Sequence, residues 1–281
     1  MPLIRTKKDL DQRLKNISNS LTLGLVPTMG ALHKGHIELI KRAVSENGRV
    51  VVSIFVNPTQ FNNKEDLKKY PRDLSKDLEI IKAVDSEIMV FAPSVEEIYQ
   101  KNVQTKKYNF AGLDKVMEGE FRDDHFNGVG TIVEQLFNLV KPDNAYFGEK
   151  DFQQLRIIKK LVEIQKIPVN IVPCPIVREE HGLAMSSRNE RLSEKMRLKA
   201  GFIYKTLQTA KEKFGTKSAL KVKEWVVNQF IKEEDFKMEY FEIADIETLS
   251  PLKRKEKNKK YRAFIAVYAE DVRLIDNIAF N

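Results

Sequence analysis

The sequence predicts an α/β fold: a Rossmann-like parallel sheet with helices on both faces across residues 1–176, then a smaller C-terminal α+β domain with an antiparallel sheet across residues 177–281. Three features lead there. Through the first half, short runs rich in β-branched residues alternate with segments of helical period, which is βαβ patterning. After about Val177 this gives way to two successive helical stretches and three closely spaced strand candidates. No internal repeat and no Pro-, Gly- or Ser-rich linker is present, so the two units are expected to join tightly.

In chain order, residues 21–27 read as a buried strand, and Ile37, Ile40 and Val44 then recur at helical spacing. Residues 49–56 (RVVVSIFV) form a second strand, followed by a helix marked by Leu74, Leu78 and Ile81. Residues 86–92 are a third. A helix through Ile132, Leu136 and Leu139 leads to a strand at 143–147, and a helix through Leu155, Ile158 and Val162 leads to one at 169–172. In the second unit the helices are expected at 194–213 and 218–232, separated at Gly215, and the strands at 238–244, 261–268 and 272–278. Trp225 shares an apolar stripe with Val222 and Val226, which predicts core packing.

Hydrophobic residues make up 42% of the 281 and charged ones 31%, enough for a buried interior beneath a hydrated surface. No apolar run approaches the roughly 18 residues of a membrane span, and MPLIRTKKDLDQRL lacks the apolar core of a secretory signal, so a cytoplasmic protein with no membrane partner is expected. The lone cysteine, Cys174, lies between Pro173 and Pro175 in what reads as an extended segment after a strand, and is expected to pack as a small thiol. Lys and Arg outnumber Asp and Glu by 48 to 40. The densest basic run, residues 253–260 (KRKEKNKK), has no interleaved aromatic and lies between strands, so it reads as a solvated loop; no nucleic-acid partner is expected.

The chemistry concentrates at HKGH. His33 and His36 follow the first strand and open a helix, where free backbone N–H groups and the helix dipole favour an anion. A spacing of three puts both rings on one face, and Gly35 would let a nucleotide approach the backbone. A metal site is the competing reading, but it needs a third ligand that no neighbouring acidic residue supplies.

The HxGH pattern after a first strand resembles the nucleotidyltransferase superfamily, and the longer VPTMGALHKGH at 26–36 resembles the pantothenate synthetase family in particular. Further similar strings follow in order: FVNPTQF at 55–61, YPR at 70–72, HFNGVGTIV at 125–133, FGEKDFQQL at 147–155, VRE at 177–179, GLAMSSRN at 182–189 and RLIDNI at 273–278. The resemblance therefore runs nearly end to end. It implies condensation of pantoate with β-alanine through a pantoyl adenylate, using ATP and Mg2+ and releasing AMP and pyrophosphate. It implies an ATP site lined by Met29, Gly30, Ala31, Leu32, His33, Lys34, Gly35 and His36, with His36 as proton donor and His33 beside the phosphates. Gly148, Glu149, Lys150, Asp151, Val177, Met185, Ser186, Ser187 and Arg188 would complete the nucleotide pocket. Gln60 would contact pantoate and β-alanine, Gln154 pantoate, and the family's usual assembly is a homodimer. His33, His36, Lys150 and Arg188 would supply the cations and N–H donors that adenylation needs. No metal ligands are assigned: Asp77, which occupies a position where relatives are acidic, reads as a helix-surface aspartate. Residues 62–72 and the second unit are lid candidates.

Three features depart from the family pattern. RDDHF replaces RPGHF, so Asp123 and Asp124 are expected to add negative charge where an anionic substrate arrives. His181 stands where an acidic or small residue is usual, and is expected at a loop surface. AEDVRLIDN replaces a more glycine-rich approach to the last motif. Another HxGH adenylyltransferase would share HKGH but not FVNPTQF or FGEKDFQQL.

Overall fold

Central strands of a parallel sheet are covered on both faces, so their sequences are apolar without interruption. LGLVPT and RVVVSI approach that character, with adjacent rather than alternating apolar residues, and they form the middle of the first sheet. The computed structural model describes every residue except Asn19, Asn62, Asn63, Lys101 and Asn281. Its first unit runs β1 (Leu3–Ile4), α1 (Lys7–Lys15), β2 (Leu23–Thr28), α2 (Lys34–Glu46), β3 (Arg49–Ile54), α3 (Lys64–Lys69), α4 (Leu74–Val84), β4 (Met89–Phe91), α5 (Val95–Tyr99), α6 (Glu118–Phe121), α7 (His125–Val140), β5 (Asn144–Gly148), α8 (Phe152–Gln165) and β6 (Asn170–Cys174). The six strands are parallel, in the order β1-β4-β3-β2-β5-β6.

Alternate residues of each strand serve opposite faces. Leu25, Val51 and Phe91 pack against Ile132 and Leu136 of α7 and Leu161 of α8. Their neighbours Val26, Val52 and Val90 pack against Ile40 and Ala43 of α2 and Ile81 of α4. Strand order reverses between β3 and β5 on either side of β2, and such a reversal opens a crevice beyond the carboxyl ends of the strands.

The second unit comprises α9 (Glu194–Lys199), α10 (Gly201–Phe214), α11 (Ala219–Ile231), β7 (Phe236–Asp245), β8 (Tyr261–Ala269) and β9 (Val272–Ala279). The strands form an antiparallel sheet in sequence order. Val222, Val226 and Phe230, four apart on α11, bury one stripe against it, and Trp225 packs half-buried at the edge. Residues 253–260 are an exposed loop, as expected.

Several elements differ from expectation. β1 is only two residues long, too short to show a period, and exists because it pairs with β4 at the sheet edge. The single helix expected over 194–213 is two, meeting at Ala200; a Cβ on Gly201 would lie 2.2 Å from the His181 carbonyl oxygen, so the chain passes against that loop at the junction. Cys174 is the last residue of β6 rather than beyond it, paired with Gly148, and is buried. Pro173 is tolerated there because β6 is an edge strand. Among the described residues no helix is long and apolar enough to cross a membrane.

Candidate active site

The crevice at the carboxyl ends of β2 and β5 opens into a cavity lined from both units. On the β2 side the chain leaves Thr28, turns through Gly30 and Ala31 at φ 79° and 49°, and enters α2 with His33 as its N-cap. This loop is held from below. Asp77 of α4 accepts from Ala31 N (2.9 Å) and Leu32 N (2.7 Å). It is 2% exposed, so it is an interior anchor and not the surface aspartate expected. A Cβ on Gly30 would come 2.8 Å from the Asp77 carboxylate, a second reason besides φ for glycine there.

The two imidazoles stack tilted, with centroids 4.1 Å apart. His33 Nδ1 accepts from Gly35 N (3.1 Å) and His36 Nδ1 accepts from His33 N (3.4 Å). A neutral ring whose Nδ1 accepts must carry its proton on Nε2, so the helix N-terminus sets both tautomers. Burial, with the charges of His36 and Lys150, lowers the His33 pKa to about 2. Burial lowers that of His36 to about 4, Asp151 opposing and Lys150 assisting. Both rings are therefore neutral N–H donors near pH 7. Gly35 lines the cavity, and a Cβ there would also meet the His33 ring at 2.9 Å, so its absence lets the imidazole fold back as a cap.

From across the cleft, the turn at Ser187–Arg191 reaches this loop. Ser187 Oγ donates to Ala31 O (3.0 Å), and Ser186 Oγ accepts from Arg188 N (3.3 Å). The Arg188 guanidinium is gripped by Asp66 of α3 at 2.7 Å, and Arg191 shares that carboxylate at 2.9 Å. Of the proposed lid, Asn62 and Asn63 lie outside the described residues; the rest includes α3 and so already touches the Ser-Ser-Arg turn through Asp66. Lys150 projects from the turn after β5 and lines the same cavity, 3.7 Å from Asp151.

Gln60 ends a short 3-10 turn whose backbone is fixed on all sides. Asn57 Oδ1 accepts from Tyr99 Oη (2.6 Å), and Asn57 Nδ2 donates to Gly128 O (3.2 Å). The Gln60 carbonyl accepts from Arg122 Nη2 (3.1 Å) and His125 Nδ1 (2.9 Å), while Gln60 itself lines the cavity. Burial, then the Arg122 charge, lowers the His125 pKa to about 3, so this ring too is neutral.

Of the residues expected at the site, Met29, His33, Gly35, His36, Gln60, Gly148, Lys150, Asp151, Gln154, Val177, Met185, Ser186, Ser187 and Arg188 line one cavity. Gly30, Ala31, Leu32, Lys34 and Glu149 do not. Gly30 and Ala31 form the turn beneath, Leu32 is core, Lys34 is exposed, and Glu149 pairs with Arg262 at 3.1 Å. Tyr70, Glu118, Arg122 and His125 line it as well. The motifs of Tyr70, Arg122 and His125 stood out in the sequence and Glu118 lay in none, and no period or spacing signalled that the four would face the same space.

Neither Asp123 nor Asp124 of RDDHF lines the cavity. The Asp124 carboxylate accepts from Lys107 Nζ, Thr105 Oγ1 and Asn127 Nδ2 at 2.5–2.8 Å, on the outside of the molecule. His181 sits in a turn outside the cavity, 3.9 Å from Glu179. In the glycine-poor approach to the last motif, Glu270 takes the left-handed conformation at φ 54° between β8 and β9.

A family model described as pantoate-beta-alanine ligase matches residues 2–279. The pantothenate synthetases of Christiangramia forsetii and Flavobacterium psychrophilum are 55% and 54% identical to this chain, over 100% and 99% of both partners. Among solved structures, pantothenate synthetase from Thermus thermophilus superposes with a TM-score of 0.92 at 39% identity, covering 100% of this chain and 99% of that one. The pantoate-beta-alanine ligase of Francisella tularensis, solved with beta-gamma ATP and beta-alanine, has a TM-score of 0.82 at 37% identity, with 100% and 98% covered. Fold, cavity and full-length similarity coincide, and the chain belongs to the pantoate–β-alanine ligase family.

Proposed function

We propose that this chain joins pantoate to β-alanine at the expense of ATP, through a pantoyl adenylate, in the cavity between its two units. One observation carries the reading: two neutral Nε2–H imidazoles, Lys150 and the Ser-Ser-Arg turn converge on one space that Gln60 and Gln154 also line. In the first step a pantoate carboxylate oxygen attacks the α-phosphorus, the bond to the bridging oxygen breaks, and pyrophosphate departs. Negative charge grows on phosphate oxygens, so the residues need only present fixed donors and positive charge; no protein nucleophile is called for. Lys150 and the imidazole N–H groups serve there, and Arg188 exchanges Asp66 for phosphate. In the second step the neutral amine of β-alanine attacks the acyl carbon, AMP leaves, and the amine loses a proton. Placement of the amine beside the anhydride supplies most of that acceleration. Gln60 and Gln154 suit hydroxyl and carboxylate contacts because an amide both donates and accepts without a charge of its own.

Magnesium fits this donor set as a companion of the nucleotide. Among the described residues no group of three or more His, Cys, Asp or Glu could hold an ion alone, and both Asp77 oxygens are engaged by the loop above. Asp151, a carboxylate lining the cavity and not held by an arginine, would hold Mg2+ together with the nucleotide; the ion takes few protein ligands and would supply positive charge for the departing pyrophosphate. The assignment is tested by incubating enzyme, ATP and pantoate with and without β-alanine. Pantothenate and AMP should form together only with the amine present; AMP transfer to a phosphate ester instead would defeat it. The same reading has the chain act as a homodimer in the cytoplasm, and a single-chain mass in sedimentation would contradict the assembly.

A further inference from the structure

The strand motif RLIDNI has no place in the chemistry above, yet Arg273 and Asn277 reach from β9 to Glu118 and to the Glu149–Lys150 turn of the first unit, while Asp276 pairs with Arg178. Asn277 is 2% exposed. Its Nδ2 donates to Glu149 O (3.0 Å) and Lys150 O (2.8 Å), and its Oδ1 accepts from Arg262 Nη1. Arg262 in turn holds the Glu149 carboxylate at 3.1 Å and lies over the Phe152 ring at 4.1 Å. The turn that receives these contacts, Glu149–Asp151, has no side-chain cap of its own. Gly148, which leads into it, has nothing within 4 Å of where a Cβ would lie. Local sequence therefore leaves the direction of the Lys150 backbone loosely set, and the amide from the second sheet sets it.

We propose that Asn277 is a positioning residue for Lys150, holding the turn after β5 so that the Lys150 ammonium stays in the cavity. The inference rests on Lys150 acting in adenylation. An amide suits the task because two N–H donors face two carbonyls while its oxygen faces a guanidinium; a carboxylate would present no donor and a hydroxyl could reach only one acceptor. Asn277 borders the cavity, but both its donors and its amide oxygen are engaged by protein, so its role runs through Lys150.

A double-mutant cycle tests this, read as the rate of pyrophosphate release from ATP and pantoate without β-alanine. Asn277→Ser should slow the step about ten- to hundredfold, the scale of misplacing one group by an ångström. In a Lys150→Ala background the same substitution should have less than about a twofold further effect, because the group it positions is gone. Equal slowing in both backgrounds, or none in the Lys150 background and none in the wild type, would overturn the inference while leaving Lys150 in place. A wild-type rate for Lys150→Ala alone would overturn the assignment of Lys150 and this inference with it. If Asn277→Ser does not fold, Asn277→Asp keeps the Arg262 contact while removing both donors, and the same pattern is required of it.

Discussion

Lys150→Ala and His36→Ala are each expected to slow adenylate formation by about tenfold to a thousandfold, the cost of removing one preorganised donor from a developing phosphate charge. Lys150 is a cation in a lined cavity, close enough to depress both imidazoles. The loss in the lysine variant should fall on the maximal rate, since the departing pyrophosphate carries more charge in the transition state than in bound ATP. His36 adds a second consequence: without its Nδ1 acceptor the His33 N–H loses its partner, and the first turn of α2 loosens. Its variant should therefore weaken ATP binding as well as slow the step. Single-turnover pyrophosphate release at saturating pantoate separates the two effects. A near-wild-type rate for either variant would remove that residue from the site.

The largest stability effect is expected from Glu118→Ala. This buried carboxylate joins the two units: it accepts from Arg273 Nη1 and Nη2 of β9, both at 2.8 Å, from Tyr240 Oη of β7 at 2.8 Å, and from Arg122 Nη1 at 3.4 Å. Burial alone would raise its pKa, but the hydrogen bonds and charges of Arg273, with Arg122, more than reverse this and bring it to about 2. Removing one partner of a buried ion pair leaves the others unpaired, which costs about 3–5 kcal/mol. The lower end applies, because Arg273 retains Glu239 at 2.5 Å. The same carboxylate makes stability fall in acid. Its folded pKa lies below its ordinary value of 4.5, so its contribution is complete above that value and is lost as pH falls toward about 2. Urea unfolding at neutral pH and in acid checks both claims. An unfolding midpoint within experimental error of wild type, or an acid dependence that Glu118→Ala leaves unaltered, would show that the network is not what joins the units.

Much of this molecule is readable along the chain. The parallel core follows from runs such as RVVVSI, whose consecutive valines only a doubly covered strand tolerates. The second sheet follows from three strand-like runs in close succession. The HKGH helix start is likewise local, since a cap and its first turn involve residues two or three apart. Arg188, Lys150 and the glutamines were reached through motif resemblance alone; composition and period do not distinguish them from surface residues.

The sequence by itself determined the central strands, the longer helices, and which short strings carry the chemistry, because burial period and capping act over a few residues. Only the tertiary structure decided how those strings meet. Asp77 holds a loop 45 residues earlier, Asp66 reaches Arg188 from 122 residues away, and Asn277 grips the Lys150 carbonyl across 127. It also decided that the paired imidazoles are neutral, since their charge depends on burial and on a lysine from a distant turn. Contacts at such separations are chosen by the packing of whole layers, and no local pattern of side chains records them.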